Sequence, residues 1–480
     1  MATITSLGVG SGLDLNTIVT QLVSLERKPL QQMQSNANAL NSKVSLYGKI
    51  SSLFSSLKDA SNKLTEPSLW QSTKVTSSDA NTVSVSASAG AATGNYAVAV
   101  QALAGNQTLA AGSAQPAATD LVGAGTLTLQ SGRWNSDHSA FTAGTGSALQ
   151  IEVSAGDTLQ TLRDKINSAG AGVTASLVTD ANGVRLTVRS DASGVANGFR
   201  LSVADGDGNS ADSAGLSRFA YDPPGGVAGM DLKKAAANAA ATVNGIPVES
   251  TTNEISGAID GLTLTLRGIT TGTPVNLSAT RDRDAVVAGI KTFADAYNAL
   301  AGYLGEQTKY DATSKVGGPL QGEAAANSMQ SQLRSIINAS SGASSVYSRL
   351  SDVGLQVQRD GTLKIDDAKL TAATNNLAEL KKAFANSDSL VSSNNGFARR
   401  YSTLASQALG VDGTVTARTQ GLQKLLTKNG DDQTRLNDRV DLFQRRLVAQ
   451  YTALDGNLSK LNALSSYVTQ QIAQMNKSRN

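Results

Sequence analysis

The sequence predicts a multidomain α+β protein. Its N- and C-terminal helices pair as an antiparallel coiled coil or helical bundle, and β-rich domains are nested between them. Three observations predict this class. Apolar residues step by three and four at both ends of the chain, the pattern of a coiled-coil seam. The middle is rich in Ala, Gly, Ser and Thr and alternates with period two, the pattern of half-buried strands. The 480 residues are enough for about three domains.

Near the start, the glycine-rich Gly8–Gly12 reads as a hinge. It follows no strand and has no Lys-Ser/Thr after it, so it fails both nucleotide-loop patterns. Asp14 is placed to cap a helix whose stripe is Leu15, Ile18, Leu22 and Leu25, interrupted by Pro29. From Leu30 the seam continues through Met33, Ala37, Leu40, Val44, Tyr47, Ile50, Phe54, Leu57 and Ala60 to Leu64.

Strands are predicted over 82–88 and 95–102, the second with Tyr96, Val98 and Val100 on one face. Further strands fall at 126–130, 148–154, 173–178 and 184–190, with Asn182-Gly183 as a two-residue hairpin signal. A short helix with Leu159, Leu162 and Ile166 inward is capped by Asp157 or Thr158 and ended by Gly170. After a loose stretch over 220–230, a second strand block comprises 241–243, a turn at Asn244-Gly245, 246–249, 262–267 and 275–280. A helix follows with the stripe Val286, Ile290, Phe293, Tyr297, Leu300 and Leu304. The last stripe runs from Leu436 through Val440, Phe443, Leu447, Tyr451, Leu454, Leu458, Leu461, Leu464, Val468 and Ile472 to Met475.

Composition excludes several functions. With no Cys, disulfides and thiolate chemistry are absent, and the single His138 rules out multi-histidine metal sites. Lys+Arg 41 against Asp+Glu 38, without a basic block, argues against nucleic-acid binding. No apolar run reaches the length of a membrane span, and the N-terminus lacks the pattern of a cleavable signal. The run Asp205 to Asn209 begins like a calcium loop, but Ser210 and Leu216 stand where that loop needs Gly and Glu, so an Asx turn is expected. His138 is read as a solvent-facing loop residue beside Trp134 and Phe141. No catalytic, cofactor or metal residues are assigned.

The remaining signal is the stripes. Their seams are narrow and diluted by Ala, Ser and Asn, so each helix needs a partner. Such seams suit self-assembly.

Five segments carry a resemblance. Ser6–Leu30, Ala241–Leu266, Phe293–Leu300, Leu350–Leu370 and Gln450–Ile472 are together similar to the flagellar filament cap family, the hook-associated protein two family. Gly156–Val178 resembles a repeat motif shared by flagellins and cap proteins. The resemblance implies a structural protein at the distal tip of the bacterial flagellum, secreted by the flagellar type III route, that promotes folding and insertion of flagellin. It also implies a homo-oligomeric ring of about four to six subunits. Other implied partners are flagellin, the hook–filament junction proteins and a cytosolic export chaperone at the C-terminal region. No cofactor, nucleic acid or membrane insertion is expected. Periodicity and resemblance together place the subunit and filament contact on Ile18, Leu22, Leu25, Leu454, Leu458, Leu461, Val468 and Ile472. The division expected is a terminal leg (1–45 and 430–480), a helical bundle (46–75 and 283–429), a β-rich domain (76–110 and 240–282) and an outer β-rich domain (111–239). Two alternatives stand beside capping. One is a filament or hook–filament junction subunit. The other is an extracellular adhesin or glycan-active enzyme using the loop of Trp134 and His138.

Overall fold

The computed structural model describes residues 14–313 and 315–477. The Gly8–Gly12 hinge lies outside them. In chain order the helices are α1 (Leu15–Glu26), α2 (Lys28–Thr65), the single turn α3 (Pro67–Trp70), α4 (Leu159–Ser168), α5 (Arg283–Thr308), α6 (Ala324–Asn338), α7 (Asp367–Ala373), α8 (Leu377–Ala385), α9 (Phe397–Leu409) and α10 (Thr414–Lys477). Two compact units result. One, helical, combines residues 14–66 with 286–477, and the other, largely β, is Pro67–Ala285.

In the helical unit, Asp14 accepts the Thr17 backbone N–H at 3.0 Å and caps α1, as its sequence position predicts. Pro29 stops nothing. It falls in the first turn of α2, where a missing N–H costs no helical bond. α2 then runs without a break through residue 45, and its stripe from Tyr47 to Leu64 is buried. The predicted face of α5, from Val286 to Leu304, is buried throughout. Aromatic rings close this core: Phe293 meets Phe384 and Tyr401, and Tyr297 meets Tyr401 edge to face. Two of the buried phenols find a carbonyl, Tyr297 donating to Gly361 at 2.9 Å and Tyr401 to Leu333 at 3.0 Å. Burial pushes the Tyr297 phenol up to about 12.

The β unit holds two apolar cores. The first lies between a five-stranded sheet and a three-stranded one. The five-stranded sheet has the order Thr73–Ser77, Val275–Arg281, Gly94–Ala102, Ala239–Val243, Ile246–Ser250, and the other has the order Glu254–Ile259, Leu262–Leu266, Val83–Ala87. Alternation puts Val98, Val100, Ala241, Leu264 and Leu277 inside. The hairpin at Asn244-Gly245 has both residues at positive φ, +50° and +82°, as a type I′ turn requires. The second core gathers Leu127, Leu129, Phe199 and Leu201 from one sheet, Leu186 and Val188 from another, and Leu159, Leu162 and Ile166 from α4. Thr158, not Asp157, caps α4 in a capping box with Thr161, and Asp157 pairs instead with Lys165. The second predicted hairpin forms one residue out of register: Asp180 faces Gly183, so Ala181 and Asn182 make the turn. The stretch over 220–230 is ordered, contrary to expectation. Its short strands Tyr221–Asp222 and Val227–Ala228 extend the sheet of Gly198–Asp205, anchored by buried Phe219 and Met230.

Two antiparallel segments connect the cores. Gly105 and Ala237 exchange both backbone hydrogen bonds, at 2.9 and 3.1 Å. Beyond them the fully buried amide of Gln107 bonds the N–H and C=O of Phe199, at 2.9 and 2.8 Å.

Candidate assembly surface

α1 packs against α10. Val19 and Val23 join Leu436, Val440 and Leu447 in one buried cluster, with Leu22, Leu30, Met33, Phe443 and Tyr451 half-buried around it. Ion pairs flank this seam, Arg27 to Asp441 and Arg439 to Glu26, both at 3.7 Å and both exposed, so they orient more than they stabilise. Apolar burial supplies the stability, about 1.5–3 kcal/mol for each fully buried side chain.

The predicted contact residues Ile18, Leu22 and Leu25 lie mostly off the face that α1 turns to α10. Ile18 and Leu25 are 38% and 58% exposed, and only Leu22 of the three packs on the cluster. The helix LNTIVTQLVSLE is apolar on a wide arc, so spacings of 3-4-3 through Ile18 and 4-4 through Val19 both fit. Docking on α10 selects the second, and sequence reasoning missed Val19 and Val23 for that reason.

On α10 the seam ends near Tyr451, yet the apolar stepping continues. Among the predicted residues Leu454, Leu461, Val468 and Ile472 are exposed, Leu461 at 60% and Ile472 at 54%, while Leu458 is half-buried. The 26 residues after Tyr451 extend about 39 Å at 1.5 Å per residue. One apolar stripe therefore has a covered half and an open half.

Near the start of α10, Glu323 fastens α2 to α10. Its carboxylate accepts from Lys43 at 2.7 Å and from Arg418 at 2.8 Å. Burial works against ionisation here, but the two cations outweigh it and hold the Glu323 pKa below its ordinary value.

Two other sites carry the chemistry weighed from sequence. His138 is not a free loop residue. Its ring stacks on Trp134 at 5.3 Å, its Nδ1 lies 3.2 Å from the Tyr221 hydroxyl, and its φ is +60°. Burial against these rings lowers its pKa, with Asp137 opposing. Trp134 is itself buried and donates to the Phe199 carbonyl at 3.0 Å, so the glycan reading loses its exposed ring. In the other site, Asp205, Asp207 and Asp212 bring carboxylate oxygens within 4.8 Å of one another. Their i to i+2 bonds are those of Asx turns: Asp205 accepts from Asp207 N–H, Asp207 from Asn209 N–H and Asp212 from Ala214 N–H, while Asp205 also accepts from the Ser217 N–H twelve residues on. Among the described residues, no helix is long and apolar enough to cross a membrane.

Sequence profiles described as the flagellar hook-associated protein 2 C-terminus and N-terminus match residues 236–463 and 11–107. A third, the flagellin hook IN motif, matches residues 140–192 and includes the α4 segment. The chain is 33% identical to flagellar hook-associated protein 2 of Escherichia coli K12 over the full length of both. It is 31% identical to that of Salmonella typhimurium, again over all of both chains. It is also similar to the crystal structure of the flagellar cap protein FliD D1-D2-D3 domains from Escherichia coli, with a TM-score of 0.63 and 30% identity. That likeness covers 79% of this chain and 99% of the other.

Proposed function

The chain belongs to the flagellar hook-associated protein 2 family, and from that premise we propose that it caps the distal, extracellular tip of the bacterial flagellar filament. It acts there as a structural protein, associating with copies of itself and promoting the folding and insertion of flagellin. One observation carries the reading: the α1–α10 seam continues as an open stripe from Leu454 to Ile472, which only a further surface can cover. The contact assigned to Ile18, Leu22, Leu25, Leu454, Leu458, Leu461, Val468 and Ile472 belongs to this proposal. Ile18, Leu25 and the α10 residues are accessible for it, and half-buried Leu22 supports α1 beneath them. The division into leg (1–45 and 430–480), bundle (46–75 and 283–429), inner β domain (76–110 and 240–282) and outer β domain (111–239) is our functional division.

Several finer points complete the proposal: a ring of about four to six subunits, contact with the hook–filament junction proteins, export by the flagellar type III route, and a cytosolic chaperone on the C-terminal region. A seam that is half covered in the single chain can dock, release and redock as subunits are added, because each contact is small and weak. Removing residues 451–480 tests it. Filament growth should stop while the β unit keeps its near-ultraviolet dichroism. Normal filaments from the truncated chain would refute the assignment. A closed ring in solution supports the cap against a junction subunit, which would form open polymers.

A further inference from the structure

Charge is divided unequally along the chain. Residues 1–66 and 286–480 carry 28 Lys and Arg against 20 Asp and Glu, a net of +8. Residues 67–285 carry 13 against 18, a net of −5, and the two together give the chain's +3. The near-neutral total conceals a cationic helical unit.

Part of that excess stands on one face of α10. Arg439, Leu442, Phe443 and Arg446 are spaced i, i+3, i+4 and i+7, so they share a face, and with Glu26 they line a shallow groove of about 570 Å³. Leu442 is 64% exposed at its centre. The Arg446 guanidinium lies over the Phe443 ring, 5.5 Å from its centroid. Glu26 engages Arg439 at a long 3.7 Å, and among the described residues no ion pair engages Arg446. Phe443 also packs on the α1–α10 cluster, so the groove is continuous with an interface the chain already makes.

Two arginines flanking an exposed leucine and a half-buried phenylalanine have the composition of interaction hot spots. Guanidinium groups pair bidentately with carboxylates, and the apolar centre fits a single aliphatic side chain. The geometry points to one occupant: an acidic amphipathic helix on a subunit at the filament end, its carboxylates on Arg439 and Arg446 and an aliphatic residue on Leu442. This rests on the capping reading and adds the chemistry of the partner.

The test uses the full chain and two alanine-based helical peptides. One carries Leu flanked four residues away on each side by Glu, and the other carries Lys in place of Glu. Fluorescence anisotropy should show the Glu peptide binding at least about tenfold more tightly than the Lys peptide. That binding should weaken about tenfold between about 50 and 300 mM NaCl. Arg439→Glu with Arg446→Glu should abolish it at unchanged far-ultraviolet dichroism, and Arg439→Gln with Arg446→Gln carries the comparison should charge reversal unfold the helix. Equal binding of both peptides, salt-independent binding, or full binding by the variants overturns the inference. A change in sedimenting mass on charge reversal also overturns it, because it assigns the face to a second copy. The two readings fail separately. If wild type does not occupy filament ends, the capping reading falls. If wild type and the charge-reversed chain occupy them equally, only this inference falls.

Discussion

Glu323 is where one atom-for-atom change should cost most in the helical unit. Glu323→Gln preserves the shape but removes the charge shared by Lys43 at 2.7 Å and Arg418 at 2.8 Å. The carboxylate is only 12% exposed, while the Lys43 and Arg418 side chains are about one third exposed and can partly re-solvate. A hydrogen bond to a charged group contributes about 1.5–3 kcal/mol, and breaking a fully buried pair costs about 3–5 kcal/mol. With two such bonds weakened and partial re-solvation, the loss is about 2–3 kcal/mol. For a unit of this size that lowers Tm by about 5–10 °C, read as the helical transition at 222 nm.

The sign with pH gives a second readout. The folded pKa of Glu323 is depressed, so its contribution is present above the ordinary carboxylate range and is lost as pH falls through the depressed value. The gap between wild type and Glu323→Gln should therefore close in acid. A Tm shift below about 2 °C, or a gap that stays constant down to the lowest pH at which both fold, would refute the reasoning. Replacing all three members with Met or Leu should recover most of the loss, because an apolar set leaves no stranded cation.

In the β unit, Gln107→Ala strands the buried Phe199 N–H, while the carbonyl keeps its bond from Trp134; urea unfolding should show a loss of about 2–3 kcal/mol. At the hairpins, Gly183→Ala should cost more than Gly245→Ala. A Cβ at 183 would meet the Gln115 carbonyl at 2.2 Å, whereas nothing lies within 4 Å at 245, and thermal melts of the pair would show the order. Lowering pH below the ordinary histidine value of 6.5 should destabilise the second core of the β unit, to which Trp134 belongs, because the unfolded chain takes the proton first. His138→Gln should flatten that part of the urea-midpoint profile followed by Trp134 fluorescence, and an unchanged profile would dismiss the effect.

The long elements were legible because their signals repeat. The seam from Leu30 to Leu64 and the stripe from Val286 to Leu304 each present many apolar residues at one period, and packing had no competing face to choose. Thr73–Ser77 and Thr108–Ala111 were not legible. Their residues are too few, too polar or too small to alternate visibly, and their partners at Val275–Arg281 and Gly183–Ser190 lie far along the chain. The same reason hid Val19 and Val23, since a short helix apolar on a wide arc takes its buried face from its neighbour. The family membership was readable from local motifs, whereas the arginine face became apparent only once charge could be counted by folded unit.

Strand Thr73–Ser77 pairs along its whole length with Val275–Arg281, and the Asp282 N–H closes on the Ser72 carbonyl at 2.9 Å. The β unit thus begins and ends at a hydrogen-bonded neck, with more than two hundred residues looped out between two neighbouring points of the chain. Closing a long loop costs little more than closing a short one, about 0.6 kcal/mol for each doubling of its length. The cassette beyond the neck can therefore lengthen, shrink or be exchanged for another with almost no entropic charge to the zipper at its base. Natural variation in this family has a thermodynamically cheap place to accumulate, on the far side of those five paired residues.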